Sequence, residues 1–253
     1  MLNNYQKSYG LIGYPLGHSF SENFFNTKFK SEGINALYHN FEIPSINDFY
    51  DIINNNPNLE GLNVTIPYKE QIIPLLDDLD ENAANIGAVN VIKFISTTEG
   101  LKLKGFNSDI IGFCESIKPL LKPHHTNALV LGSGGAAKAV FCGLKNLGIK
   151  PIYVSRTKNA ENLTYDELTP AIIAKHKVIV NASPLGMHPH IDTCPNIPYE
   201  QLTTNHLCYD LVYNPNETLF MKKALAVGAI AKNGLEMLHL QAVAAWNIWN
   251  VNQ

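Results

Sequence analysis

Residues 128–137 read Ala-Leu-Val-Leu-Gly-Ser-Gly-Gly-Ala-Ala, and this stretch decides the fold. The apolar run Ala128–Leu131, stopped by glycine, predicts a buried strand, and the apolar periodicity of Gly135–Leu147 predicts a helix directly after it. Strand, Gly132-x-Gly134-x-x-Ala137 and helix, in that order, form the dinucleotide-binding pattern GxGxxG/A, with Ala137 in the third place. Gly132 and Gly134 allow a tight turn and a close backbone approach to a pyrophosphate, whose charge the N–H groups of the helix start then hold. A glycine-rich turn without a ligand is the plainer alternative. The flanking strand and helix favour a nucleotide.

The next predicted strand, Pro151–Ser155, runs into Arg156 and Thr157, and no acidic residue appears before Glu161. An NAD site places Asp or Glu on the ribose hydroxyl at such a strand end. A guanidinium instead suits the additional phosphate of NADP, because it makes paired, charge-assisted bonds to phosphate oxygens. NADP is therefore the expected cofactor.

Outward from this turn, strands are expected at Val178–Asn181 and Leu207–Leu211, a helix at Leu219–Val227, and a last helix at Leu235–Asn250. That last helix carries Leu238, Ala242, Ala245, Trp246 and Trp249 on one face, which must be buried. Toward the N-terminus a second alternating series is expected. It comprises strand Tyr9–Ile12, helix Ser21–Glu32, strand Ala36–Glu42, helix Ile46–Asn54, strand Leu62–Ile66, a helix Tyr68–Leu76 broken near Pro74, and strand Ala88–Ile92. A hairpin Lys93–Lys104 follows, turning near Glu99 and Gly100, and then a helix Asp109–Lys118 capped by Asn107 or Ser108. The expected fold is α/β in two domains. Residues 1–106 with 234–253 form an α/β substrate-binding domain, and 107–233 form a Rossmann-like dinucleotide-binding domain. The C-terminal helix packs back on the first domain, and the cleft between domains is the expected site.

Composition narrows the partners. With 19 basic and 22 acidic residues the net charge is −3, and like charges form no runs. That leaves no electrostatic footprint for nucleic acid or an anionic membrane, so a small-molecule substrate is expected, on a monomer or homodimer. Cys114, Cys142, Cys194 and Cys208 lack metal or disulfide spacing and read as reduced core residues. The polar start and the absence of long apolar runs point to a cytoplasmic protein. His188, His190 and Cys194 lie among prolines with only Asp192 nearby, which is poor metal-site spacing, so no metal is expected. His124 and His125 read as a solvated linker, and His18 as part of a turn.

On the other series, Asn63 and Thr65 are two apart and so share one strand face, with Lys69 just beyond. Asn90 interrupts an apolar run, Asp109 starts a helix, and Ser19 and Ser21 follow the first strand. Together with GYPLGHSFS (13–21), GLNVTIPYK (61–69), GAVN (87–90), NSD (107–109), GSGGA (132–136), SRT (155–157), YDLVY (209–213) and NGLEMLHLQ (233–241), these residues make the chain resemble the shikimate dehydrogenases. The segments stand in the family's order over nearly the whole chain.

The resemblance implies NADPH-dependent reduction of 3-dehydroshikimate to shikimate in aromatic amino acid biosynthesis. It implies that Ser19, Ser21 and Tyr213 bind the substrate carboxylate, while Asn63, Thr65, Asn90 and Gln241 join Lys69 and Asp109 around the ring hydroxyls. Gly132, Gly134, Gly135 and Ala136 would cradle the pyrophosphate, Ser155, Arg156 and Thr157 would meet the adenosine phosphate, and Leu211 and Gly234 would lie near the nicotinamide. Lys69 is the best proton donor to a developing alkoxide, held and tuned by Asp109.

Five positions depart from the family pattern, among them Ser108, which replaces the usual threonine and keeps its hydroxyl. Ser155 replaces a frequent Asn, and Asn159 replaces a frequent second arginine, for which Lys158 can compensate. Ile110 and Glu236 replace frequent glycines. The alternatives are an NAD-linked quinate/shikimate dehydrogenase and a noncatalytic shikimate-binding relative, and intact Lys69 and Asp109 argue against the second.

Overall fold

The computed structural model describes residues 6–17 and 19–251, so His18 lies outside the described residues. The chain divides into two compact units. One runs up to Ser108 and takes in the chain from Ala242 on; the other is Asp109–Gln241.

The first unit contains β1 (Lys7–Gly13), α1 (Phe20–Glu32), β2 (Ala36–Glu42), α2 (Phe49–Asn55), β3 (Leu59–Val64), β4 (Asp78–Leu79), α3 (Glu81–Ile86), β5 (Val91–Thr97) and β6 (Gly100–Phe106). They form a six-stranded sheet in the order β2-β1-β3-β5-β6-β4. Strands β1, β2 and β3 are parallel, and β5 joins β3 antiparallel through the pair Asn63–Val91. One core of this unit gathers Ile12, Leu62, Val64, Ile72 and Ile92. Another is aromatic, in which Tyr38 stacks on Phe25 with ring centroids 4.7 Å apart and Trp249 packs 4.8 Å from Tyr9.

The second unit contains α4 (Asp109–Ile117), β7 (Asn127–Leu131), α5 (Gly135–Asn146), β8 (Lys150–Ser155), β9 (Asn162–Thr164), α6 (Pro170–Lys175), β10 (Val178–Asn181), β11 (Leu207–Asp210), α7 (Leu219–Ala226), β12 (Ile230–Lys232) and α8 (Leu235–Asn250). Helix α8 continues into the first unit. All pairings of this sheet are parallel, in the order β12-β11-β10-β7-β8-β9. The order reverses at β7, so the glycine turn after β7 stands at the topological switch point, where open α/β sheets bind ligands. Its central strands β7, β10 and β11 are buried between two apolar layers, which is why they read as apolar runs rather than alternations.

Several expectations need correction. The segment 68–76 is not an α-helix but turns and a 3-10 segment, Ile73–Leu75, because Pro74 supplies no N–H and its ring disfavours a continuing helix. Strand Ala88–Ile92 begins only at Val91 and is one strand with the first arm of the hairpin. Ahead of it the short helix α3 was not expected, although its signals are present: Asp80 accepts from Ala83 N at 2.9 Å, and Gly87 closes it at φ 68°. Asn90 thus lies in a loop, not within a strand. His125 is buried rather than solvated. Its Nδ1 accepts from Lys122 N at 3.0 Å, and its Nε2 lies 3.2 Å from Asn205 O. All four cysteines are free thiols, but only Cys208 is buried; the other three are half-buried.

The expected return of the last helix at 234 is displaced into α8. At Gly112 a Cβ would stand 2.6 Å from Met237 O and 2.9 Å from Gln241 N, so the first half of α8 lies backbone to backbone on α4. Its apolar face is buried as the spacing requires, with Ala242 and Ala245 at 0% exposure. At Gly61 a Cβ would fall 2.3 Å from the Trp249 indole nitrogen, so glycine there admits Trp249, whose Nε1 donates to Ile92 O at 3.0 Å.

Candidate active site

In the first unit, the loops after β1 and β3 run side by side at the carboxyl ends of parallel strands. Thr65 N donates to Ile12 O at 2.9 Å, and Tyr14 N donates to Ile66 O at 3.1 Å. A third segment, 88–90, closes on them: Val64 N donates to Asn90 O at 2.9 Å, and Val89 N donates to Lys69 O at 2.7 Å. Lys69 is half-buried beside this junction.

The side chains form a chain of hydrogen bonds across it. The buried Tyr38 hydroxyl donates to Asn63 Oδ1 at 2.7 Å, and Asn63 Nδ2 donates to Asn90 O at 3.1 Å. Asn90 Oδ1 accepts from Ser108 N at 2.6 Å, and Asn90 Nδ2 donates to Ser108 Oγ at 3.0 Å. Asn107 Nδ2 donates to Ala88 O at 2.9 Å. At the other end, burial pushes the ionisation of Tyr38 well above the ordinary phenol range. Asn63 and Asn90 are thus brought together, and the chain of bonds reaches Ser108, whose successor Asp109 opens α4 and is 6% exposed.

Ser19 has a second duty. Its Oγ caps α1 by accepting from Glu22 N at 3.4 Å, which leaves its hydroxyl hydrogen for a ligand. Thr65 falls one residue past β3, so strand alternation no longer sets its direction; its Cγ2 would be 2.5 Å from a Cβ at Gly13.

In the second unit the glycine turn has the features a pyrophosphate cradle needs. Gly132 sits at φ 121°, a conformation side chains rarely adopt, and a Cβ there would be 3.0 Å from Ala182 O. Gly134 caps α5 at φ −76°, where a Cβ would meet nothing within 4 Å. Its bareness therefore serves no packing purpose, and it keeps the N-terminus of a 12-residue helix open, with Gly135 and Ala136 half-buried behind it. At the end of β8, Arg156 and Thr157 are exposed, and Arg156 lies near Tyr165.

The neighbours expected to assist are otherwise engaged. Ser155 Oγ donates to Thr157 O at 2.7 Å and receives Asn162 Nδ2. Lys158 Nζ is 2.8 Å from both Glu167 carboxylate oxygens and 2.9 Å from Asn162 O, so the expectation that Lys158 compensates for the missing arginine is corrected. Leu211 and Gly234 touch through their backbones, since a Cβ at Gly234 would be 2.2 Å from Leu211 O. Tyr213, 37% exposed, and Gln241, half-buried on α8, also belong to this unit.

Sequence reasoning missed Tyr38 and a buried group beside Leu211. There Asp210 Oδ2 accepts from Thr218 Oγ1 at 2.6 Å, and Oδ1 accepts from Asn181 Nδ2 at 2.9 Å and Val212 N at 3.0 Å. Burial raises the Asp210 carboxyl to about 6 against these bonds, which lower it. For Tyr38, the one available signal was that a buried tyrosine needs a partner for its hydroxyl.

A doubly wound parallel sheet with this turn at its switch point, joined to an α/β unit that gathers amides, hydroxyls and a lysine at its strand ends, defines a nicotinamide-nucleotide oxidoreductase. The comparisons specify it further. The pattern of the shikimate dehydrogenase substrate binding domain matches residues 11–92. The shikimate dehydrogenase (NADP(+)) of Halothermothrix orenii is 38% identical, over 98% of this chain and 92% of its own. The crystal structure of shikimate dehydrogenase from Aquifex aeolicus aligns with TM-score 0.85 at 36% identity, covering 99% of this chain and 94% of its own. That of shikimate 5-dehydrogenase from Thermus thermophilus, in complex with NADP(H) and shikimate, aligns with TM-score 0.83 at 29% identity, covering 96% and 93%. The chain belongs to the shikimate dehydrogenase family, NADP-dependent oxidoreductases acting on a CH–OH group. No described helix is long and apolar enough to cross a membrane.

Proposed function

We propose that the chain interconverts 3-dehydroshikimate and shikimate with NADP(H), as a cytoplasmic step of aromatic amino acid biosynthesis, working as a monomer or homodimer. The observation that carries this reading is the hydrogen-bonded chain Tyr38–Asn63–Asn90–Ser108 beside Lys69, a set of neutral donors and acceptors suited to a polyhydroxylated ring carboxylate. The hydroxyls of Ser19 and Ser21, with Tyr213, bind the carboxylate. Asn63, Thr65, Asn90 and Gln241 hold the ring hydroxyls.

Gly132, Gly134, Gly135 and Ala136 hold the pyrophosphate, Arg156 and Thr157 the adenosine phosphate, and Leu211 and Gly234 border the nicotinamide. Bound NADP(H) supplies or accepts the hydride. In the reducing direction, the Lys69 ammonium stabilises the developing alkoxide and delivers a proton to its oxygen; in the oxidising direction it takes that proton back. Asp109 orients the lysine for this step.

Mixing purified protein with shikimate and NADP+ tests the reading through absorbance at the reduced-nicotinamide band. Growth of the band is expected, and faster with shikimate than with quinate. No growth with either acid would support the noncatalytic reading. One observation favours a second reading on the cofactor: with Lys158 held by Glu167, only Arg156 among these basic residues is left to meet the phosphate, so measurable turnover with NAD+ is expected as well.

A further inference from the structure

The hydrogen-bond chain has a direction, and the direction is fixed by one backbone group. The Asn90 carbonyl can only accept, so the Asn63 amide must turn its NH2 toward it, at 3.1 Å. That places Asn63 Oδ1 against the Tyr38 hydroxyl at 2.7 Å, so Tyr38 must donate there. The order Tyr38→Asn63→Asn90 follows without any freedom of amide orientation, and it leaves the second amide hydrogen of Asn63 for a ligand. Tyr38 is itself immobile, 1% exposed and stacked on Phe25 at an interplanar angle of 14°.

We propose that Tyr38 is a positioning residue for the reaction: by donating to Asn63 Oδ1 it locks the Asn63 amide with one N–H presented to a ring hydroxyl of the substrate. The proposal rests on the reading of Asn63 as a substrate-binding residue. Tyr38 keeps its bond to Asn63 throughout, so the amide stays set as the substrate binds.

The test is Tyr38→Phe, which deletes one oxygen and keeps the stacked ring, compared with Asn63→Ala and with the double variant. Shikimate KM, and shikimate Kd by calorimetry without cofactor, are expected to rise about five- to tenfold in Tyr38→Phe, the range of one neutral hydrogen bond. The KM for NADP+ is expected to stay unchanged, and kcat to move less than twofold. In the Asn63→Ala background, Tyr38→Phe is expected to add less than a factor of two. Preference for shikimate over its mono-deoxy analogues is expected to fall for one analogue only, which general loosening of the core would not produce.

An unchanged shikimate KM in Tyr38→Phe with a raised one in Asn63→Ala overturns the proposal alone, and so does full additivity of the two. Unchanged values in both variants overturn the reading of Asn63 and the proposal with it. If Tyr38→Phe does not fold, Asn63→Asp carries the test. It retains an acceptor for Tyr38 and removes both amide N–H groups, so it must lower Tm through the lost bond to Asn90 O and also lose shikimate affinity; retained affinity overturns the proposal.

Discussion

The two units prepare their ligand sites by opposite means. The parallel sheet of the second unit offers backbone: a glycine at φ 121°, a bare Gly134, and the first turn of α5. In the proposed reading, the mixed sheet of the first unit offers side chains, Ser21, Asn63, Asn90 and Lys69, of which Asn63 and Asn90 are held by neighbours from another strand or loop. A nucleotide phosphate is alike in every dinucleotide, so N–H groups suffice to hold it. A ring bearing several hydroxyls must be told apart from its relatives, which takes donors and acceptors of fixed orientation. The lesson is that one unit is tolerant of side-chain change near its ligand and the other is not.

That contrast can be broken most directly at Lys69. Lys69→Ala should lower kcat about 10²- to 10⁴-fold with little change in KM, the usual range for general acid–base catalysis. Asp109→Asn should be severe as well, and the double variant should lose less than the product of the single losses. Single-turnover rates measure this. A normal kcat with a raised KM would make Lys69 a clamp.

In the second unit, one side chain is expected to matter for the cofactor. Arg156→Ala should weaken NADP+ binding by about 1.5–3 kcal/mol, the range for a hydrogen bond to a charged group, and leave NADH binding unchanged. Equal losses for both cofactors, measured by fluorescence titration, would place Arg156 away from the phosphate. Glu167→Gln, by releasing Lys158, should tighten NADP+ a few-fold in the same titration.

The glycines sharpen the comparison further. Gly134→Ala should weaken both nucleotides roughly tenfold at unchanged Tm, because its Cβ meets only the space a pyrophosphate would fill. Gly132→Ala should lower Tm too, by a stability loss of about 1–2 kcal/mol, because φ 121° is unfavourable for alanine. Thermal scans with and without NADP+ separate the two outcomes.

Acid provides the smallest effect. Among the described residues the buried histidines, His125, His176 and His206, all lie in the second unit, and burial lowers each below the ordinary histidine value. At His125 and His206, Nδ1 already accepts a backbone N–H, from Lys122 and Thr203, so a proton there breaks a bond. The unfolded chain therefore binds more protons than the folded one as pH falls through about 6.5, and stability is lost in that direction. Asp210 opposes this at lower pH, since a carboxyl raised to about 6 favours the folded state as it takes up a proton. Between pH 7.5 and 6, amide protection factors, taken relative to the slower intrinsic exchange at lower pH, should fall in β10 and β11 more than in β1 and β3. Both tryptophans, Trp246 and Trp249, lie in the first unit, so their emission should lag behind.

Much of this was legible in the sequence, and unevenly so. The strand Val178–Asn181, the helix Leu235–Asn250 and the glycine turn are local patterns, and they stand where the pattern puts them. The segment 68–76 misled because its apolar spacing is helical while Pro74 forbids the hydrogen bonds. Tyr38 was invisible as anything but core because its partner is Asn63, 25 residues away. The engagement of Lys158 by Glu167 depends likewise on β9 pairing with β8, a three-residue strand with no apolar signature of its own. Side chains that carry a local signal, such as Asn63 and Asn90, could be read; the distant partners that hold them could not.

The division of the chain at 108/109 and again at 241/242 has a consequence for how the protein is made. The sheet that emerges first from the ribosome lacks its aromatic plug, because the residue that fills the gap over Gly61 and packs on Tyr9 is Trp249. Residues 109–241 must be synthesised before that indole arrives, so the uninterrupted unit is placed to consolidate as soon as it clears the exit tunnel, while the earlier-born one waits with an open apolar seam. Birth order and completion order are thus reversed, and any pause or truncation before residue 249 leaves the substrate-holding half, not the nucleotide-holding half, exposed to chaperones and proteases.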